Sequence, residues 1–352
     1  VNALDTPSTY TTLPKVELHR HLEGAVRLTT LLDVAAEYGV TLPESRPEAL
    51  RRYVQVVPND PHTSAHFLSK FAVLRRFFVS EAVIRRIVAE AIEDAARDNV
   101  CYMELRFTPK ALARLMNYSF AQVVEWVCEA TEAAQAQHAI RVRLLIAINR
   151  HESVHDAEES LAAALAYQGR GVVGIDLCGQ EKGYPATPFL AIFKVAREAG
   201  LGVTMHAGEW DTPENIAQAV DQFGATRIGH GVRILENSNV IKLCRTRGVT
   251  FEVCPTSNLH SGVFARLDLH PLRDMRSAGL LVTLNTDDPA ICSITLSDEY
   301  ATAHEVLRLP QAALREVVQN AINAAFLPRE ERAALRAQIE SAWERVPDAA
   351  RW

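Results

Sequence analysis

Two histidines one residue apart stand in the segment 15–24, KVELHRHLEG. Residues i and i+2 of a strand point to one face, so a strand here would aim the imidazoles of His19 and His21 at one point. An isolated pair could equally be two solvated histidines at a strand end, and the rest of the chain has to decide. Other polar residues stand at the ends of short apolar runs: Asp176 in VVGIDL with Gly179 two residues past it, His206 and Glu209 in GVTMHAGE, His230 in RIGHG, and Asp287 and Asp288 after LLVTLN. Three histidines and a carboxylate, His19, His21, His206 and Asp287, form a donor set suited to Zn2+ with a position left for water. Zinc held in this way lowers the pKa of water toward neutrality, which makes hydroxide available at pH 7. A second metal would need a bridging ligand near VVGIDLCG, which offers neither lysine nor histidine. One Zn2+ per chain is therefore expected.

These residues can meet only if the chain brings many strand ends together. Apolar, β-branched runs recur at 15–19, 100–107, 141–148, 172–177, 202–207, 227–231, 249–254 and 280–285. Between them lie stretches such as DAEESLAAALAYQ (156–168) with apolar residues at helical spacing. Strand then helix, eight times over, predicts an α/β fold, the (β/α)8 or TIM barrel, with chemistry at the C-terminal strand ends. An open doubly wound sheet is the rival, since alternation alone does not close a sheet, and the count of eight favours the barrel. Residues 25–99 are too long for one crossover helix, so a helical lid insertion after the first strand is expected there, with SAHFLSKFAVLRRFF (64–78) as its apolar stripe. Residues 1–13 read as a mobile N-terminal arm, and the stretch from Asp298 onward as C-terminal helices. No linker composition divides the chain, so 1–352 is expected to be one domain.

Composition narrows the partners. With 352 residues the chain can build a sizeable core, and its formal net charge of −6 disfavours nucleic acid and anionic membrane, leaving a small molecule. Six cysteines without a CxxC pair suggest buried thiols in a reducing compartment, and no run is long and apolar enough to span a bilayer, so a cytoplasmic protein is expected. HESVH (151–155) fits the HExxH zinc pattern but does not account for the strand-end cluster. GRGVVG (169–174) fits GxGxxG but leads from helix to strand, the reverse of a dinucleotide site. EVCPTSN lacks the CxxC of the deaminases that flip bases out of nucleic acids, and Cys254 reads as an interior thiol.

Taken in order, KVELHRHLEG, GIDLCGQE, MHAGE, RIGHGVR, EVCPTSN and LNTDDPA resemble the adenosine deaminase family of the amidohydrolase barrels. The resemblance implies hydrolytic deamination of a 6-aminopurine nucleoside, adenosine or 2′-deoxyadenosine, with His19, His21, His206 and Asp287 holding zinc. It makes Glu209 the acid that protonates purine N1, and His230 the group that orients and helps deprotonate the attacking water. Asp287 counts with these as catalytic, while His21, Glu23, Gly179 and Asp288 lie on the substrate side. The chemistry agrees: attack at C6 displaces electrons that need a proton on N1, and a carboxylic acid supplies one. N7 only accepts, so Asp288 must share a proton, which proximity to Asp287 would favour. The N–H of Gly179 can approach N3 because no side chain blocks it. Glu23 stands where many nucleoside-specific members carry aspartate facing the ribose. Relatives with HLEG include adenine and aminodeoxyfutalosine deaminases, which are the alternatives of the same fold. A catalytically silent nucleoside-binding protein would have lost a ligand or the acid, and none is missing.

Overall fold

In the computed structural model, which describes residues 9–346, eight parallel strands follow one another in sequence order. They are β1 (Lys15–His21), β2 (Val100–Phe107), β3 (Arg141–Asn149), β4 (Val172–Cys178), β5 (Gly202–Ala207), β6 (Arg227–His230), β7 (Thr250–Val253) and β8 (Leu281–Leu284). Every run anticipated from the sequence is a strand. The sheet curls until β1 meets the chain just beyond β8. There the N–H of His21 donates to the carbonyl of Asp287 at 2.8 Å, and the N–H of Asp287 donates to the carbonyl of His19 at 2.9 Å. Asn285 adds its side-chain oxygen, which accepts from the N–H of Leu18 at 2.8 Å. These bonds nearly close a barrel and rule out the open doubly wound sheet.

The barrel interior is charged as well as apolar. Arg227 bonds Glu104 at 2.6 Å and Glu252 at 2.7 Å, and Arg106 bonds Asp176 and Glu252 at 2.8 Å each. All five side chains are buried. Each guanidinium sits between carboxylates, so the charges are compensated where water cannot reach. Phe326 lies against the Arg227 guanidinium at 3.6 Å and seals that end of the network.

Between β1 and β2 the chain forms α1 (Leu28–Tyr38), α2 (Pro47–Val54), α3 (Ser64–Leu74) and α4 (Glu81–Arg97). The helix α4 starts at Ser80, whose hydroxyl accepts from the N–H of Val83, and buries Ile84, Ile87, Val88 and Ala91 at helical spacing. It packs on β2 and on the helix Phe120–Gln135, so it belongs to the outer ring of the barrel. The inserted part is therefore narrower than 25–99: α1 to α3 with their connections. The N-terminal arm also needs correction. Residues Thr9–Thr12 form a 3-10 turn, Tyr10 and Leu13 are buried, and Lys15 Nζ donates to both of their carbonyls at 3.0 and 2.9 Å. The remainder of the expected arm, 1–8, lies outside the described residues. All six cysteines are free and buried, and among the described residues no helix is long and apolar enough to cross a membrane.

The interior network yields a stability prediction. Arg227→Met leaves Glu104 and Glu252 short of a counter-charge, and breaking a buried pair from one side costs about 3–5 kcal/mol. Urea unfolding should show that loss in the midpoint, and a loss under about 1 kcal/mol would mean that the network is solvated or readily rearranged.

Candidate active site

A cavity of about 290 Å³ opens at the C-terminal ends of the strands. Its floor holds His21, His206, His230, Asp287 and Asp288, its walls hold Glu23, Gly179 and Glu209, and Phe67, Leu68, Phe71 and Arg75 reach it from α3 and the turn after it. Two floor residues have left-handed backbones although neither is glycine: His230 at φ 59° and Asp287 at φ 63°. Such conformations cost on the order of 1–3 kcal/mol and persist where surrounding structure fixes them. Both re-aim a side chain at the point where a strand ends.

The four residues expected to bind metal come together. His21 Nε2 lies 3.3 Å from His206 Nε2 and 3.3 Å from Asp287 Oδ1, and His19 Nε2 lies 3.2 Å from the same oxygen. His19, His206, His230 and Asp287 also place one donor atom each within 4.8 Å of one another. The outer ring nitrogens reveal which way the rings are turned. His19 Nδ1 lies 2.8 Å from Glu252, and His206 Nδ1 lies 3.1 Å from Asp176. Each carboxylate takes the Nδ1 hydrogen and leaves the Nε2 lone pair facing inward, the usual support for a metal-binding histidine. Burial opposes ionisation of both carboxyls, but Arg106 and Arg227 hold Glu252 well below its usual range, and His206 and Arg106 do the same for Asp176. His19 Nε2 is buried without a hydrogen bond. Inward lone pairs, an orphaned nitrogen and a carboxylate fit a divalent metal such as zinc.

Around this cluster stand three carboxyls whose environment favours protonation. Glu209 is pushed well above its ordinary pKa by burial, then by the charges of Asp287 and Glu181. Asp288 is pushed well up by burial and by Asp287, Glu23 and Glu209. Glu23 is raised by burial, against the N–H of Thr108, which donates to its Oε1 at 2.8 Å. Glu23 Oε2 and Asp288 Oδ1 are buried with no partner, as suits atoms that bond a ligand. The glycines are sterically required: a Cβ on Gly24 would fall 1.8 Å from Asp288 Oδ1, and one on Gly179, at φ +82°, would fall 2.7 Å from His151 Nδ1.

Several residues were not legible as site residues. Glu181 accepts from the N–H groups of Gly208, Glu209, Trp210 and Asp211 at 2.7 to 3.1 Å and so pins the loop that carries Glu209. Its signal was a carboxylate two positions past Gly179. Ser257 donates to Asp287 Oδ2 at 2.6 Å, and Asn258 lies 3.3 Å from Glu209 Oε1. Arg75 is the one lysine or arginine lining the cavity among the described residues. HESVH does not form a metal site: His151 lines the cavity, His155 is 77% exposed, and the helix starts only at Val154.

Comparison with known proteins agrees with this geometry. The adenosine deaminase family profile matches residues 14–342. An adenosine deaminase from Erwinia tasmaniensis is 38% identical over 327 residues, covering 93% of this chain and 98% of that protein. A zinc-bound amidohydrolase from Burkholderia ambifaria superposes with TM-score 0.88 at 26% identity, covering 99% of this chain and 96% of that one. An adenine deaminase from Arthrobacter aurescens superposes with TM-score 0.85 at 27% identity over 94% of this chain and 98% of its own. A barrel with a His/His/His/Asp cluster at its mouth, matched along nearly its whole length, belongs to the adenosine deaminase family of metal-dependent aminohydrolases.

Proposed function

We propose that the protein deaminates adenosine and 2′-deoxyadenosine hydrolytically, releasing ammonia and leaving inosine and 2′-deoxyinosine. One juxtaposition carries the reading: Glu209, a buried carboxyl whose surroundings favour its protonated form, lines the same purine-sized cavity as His21, His206 and Asp287. One Zn2+ held by His19, His21, His206 and Asp287 would supply a water acidified to neutral pH. His21 is preferred to His230 as the fourth ligand, because His230 Nε2 is 3.9 Å from the nearest Asp287 oxygen whereas His21 Nε2 is 3.3 Å away.

The chain's own residues do the rest. Glu209 donates its proton to N1 as oxygen adds to C6, so negative charge never accumulates on the ring. Asp288, protonated, donates to N7, and the Gly179 N–H donates to N3. Together these contacts tell a purine from a pyrimidine. Glu23 Oε2 accepts from a ribose hydroxyl. Phe67 and Phe71 on α3 cover the cavity and reduce access of bulk water. The adenine deaminase similarity supports a second reading, in which the free base is the substrate and Glu23 contacts water or another group.

Removal of metal with a chelator should abolish turnover and leave far-ultraviolet dichroism nearly unchanged, because the ligands lie at the mouth rather than in the packed interior. Added Zn2+ should restore activity, and Asp287→Asn should lose metal by elemental analysis. Full turnover by metal-free protein would overturn the zinc assignment.

Glu209→Gln keeps the shape of the side chain and removes the proton. It should retain zinc and lose about 10²- to 10⁴-fold in kcat. Retention of more than half of wild-type kcat would remove Glu209 from the role of acid.

The substrate is tested by following the ultraviolet change of 6-amino to 6-oxo purines. Adenosine and 2′-deoxyadenosine should be turned over, and AMP, which puts a phosphate where Glu23 Oε2 would accept from a hydroxyl and so leaves that buried oxygen without its donor, should be roughly tenfold poorer or worse in kcat/KM. Equal use of AMP would displace Glu23 from the ribose side. A tenfold preference for adenine or aminodeoxyfutalosine would keep the deaminase chemistry and replace the substrate.

A further inference from the structure

Behind His230 runs a chain of hydrogen bonds that the proposed chemistry does not use. The N–H of Leu272, in the first turn of the helix Leu272–Ser277, points at His270 Nδ1 at 3.2 Å. His270 Nε2 faces Asn258 Oδ1 at 3.2 Å, and Asn258 Nδ2 faces His230 Nδ1 at 3.1 Å and Glu209 Oε1 at 3.3 Å. All three side chains are buried.

The chain can be read in one direction only, because its far end is a backbone N–H that cannot accept. Helix-start N–H groups have no partner inside the helix, and here one donates to His270 Nδ1. That nitrogen must be bare, so the ring hydrogen sits on Nε2 and points at Asn258. The atom of Asn258 that meets it must be the carbonyl oxygen, which turns the NH2 toward His230 and Glu209. His230 Nδ1 must then accept, and the hydrogen of the neutral His230 ring is on Nε2. Burial lowers the pKa of His270 to about 3, so the ring stays neutral and carries a single hydrogen.

We propose that His270 and Asn258 are positioning residues that lock His230 as the Nε2–H tautomer, a hydrogen-bond donor toward the reacting oxygen that neither binds metal nor accepts a proton. The same amide fixes Glu209. Its second N–H, with the hydroxyl of Ser261 at 3.4 Å, occupies Glu209 Oε1, so the acidic proton of Glu209 lies on Oε2. His19 and His206 are held in the opposite tautomer by Glu252 and Asp176, which separates the histidines that offer a lone pair from the one that offers an N–H. A proton leaving the attacking oxygen is then not taken by His230. This inference rests on the deaminase reading for its consequence but not for the tautomer itself.

Imidazole nitrogen–hydrogen correlation spectra of 15N-labelled, zinc-loaded protein decide the tautomer without substrate, with the His230 signals identified by their loss in His230→Gln. Expected is a protonated Nε2 and a bare Nδ1 on His230, the reverse of His19 and His206. A wild-type His230 with hydrogen on Nδ1 would overturn the proposal, and this measurement needs no variant of the relay to fold. Asn258→Asp, which accepts from both histidines, should transfer the His230 hydrogen to Nδ1 and lower kcat about 100-fold with KM changed less than about threefold. His270→Leu should lower kcat in the same direction, and His270→Gln, which can both accept from Leu272 and donate to Asn258, should recover most of that loss. If His270→Leu and Asn258→Asp both kept the Nε2 hydrogen, the relay would not be its cause. Failure of every purine to react would overturn the proposed function and leave the tautomer result standing.

Discussion

The site depends on two buried carboxylates that serve an arginine on one side and a histidine on the other. Glu252 bonds Arg106 and His19, and Asp176 bonds Arg106 and His206. Neither carboxylate could stay ionised in the barrel interior alone, since burial works against both. Arg106 offsets that penalty from below, and the ionised oxygens then fix the tautomer and plane of the two imidazoles above them. Core stability and ligand orientation are thus one network. An apolar replacement for Arg106 would disturb both.

Barrel closure supplies the third element of the cluster. Asp287 lies beyond the end of β8, yet its backbone exchanges hydrogen bonds with His19 and His21 on β1. The bonds that join the last strand to the first therefore set a carboxylate beside two histidines. The left-handed backbones of His230 and Asp287 belong to the same economy, because a strand that continued straight would carry those side chains past the cavity. Gly24, which lacks the Cβ that would strike Asp288, completes the fit between the two chain segments.

Above the cluster the electrostatics change sign. Glu23, Glu209 and Asp288 stand around the same cavity as Asp287: burial raises all three, and repulsion from neighbouring carboxylates adds to it for Glu209 and Asp288. Asp287, with His19, His21 and His230 close by, is held well below its normal value despite burial. A carboxyl held toward its ionised form beside others pushed toward the protonated form is what a site needs if it is to bind a cation and also donate protons. The Glu181 carboxylate shapes this from outside the cavity by holding the Glu209 loop through four backbone N–H groups.

The sequence alone determined the eight strands and the placing of polar residues at their ends, because strand and helix periodicity are local and HRH is a local device for aiming two rings together. It also held the residues that fill the metal cluster. What only the tertiary structure decided is which buried groups face one another across the barrel. His19 and Glu252 are 233 residues apart, and nothing in FEVC marks that glutamate as a partner for imidazole. The border of the insertion belonged to packing too: α4 has the same helical pattern as α3 but lies in the outer ring, whereas α3 lines the cavity. The direction of the His270–Asn258–His230 chain was likewise invisible in EVCPTSN and LDLHPL. Donor and acceptor roles pass along it from a backbone N–H, and a hydrogen-bond chain has a direction only once its end is known.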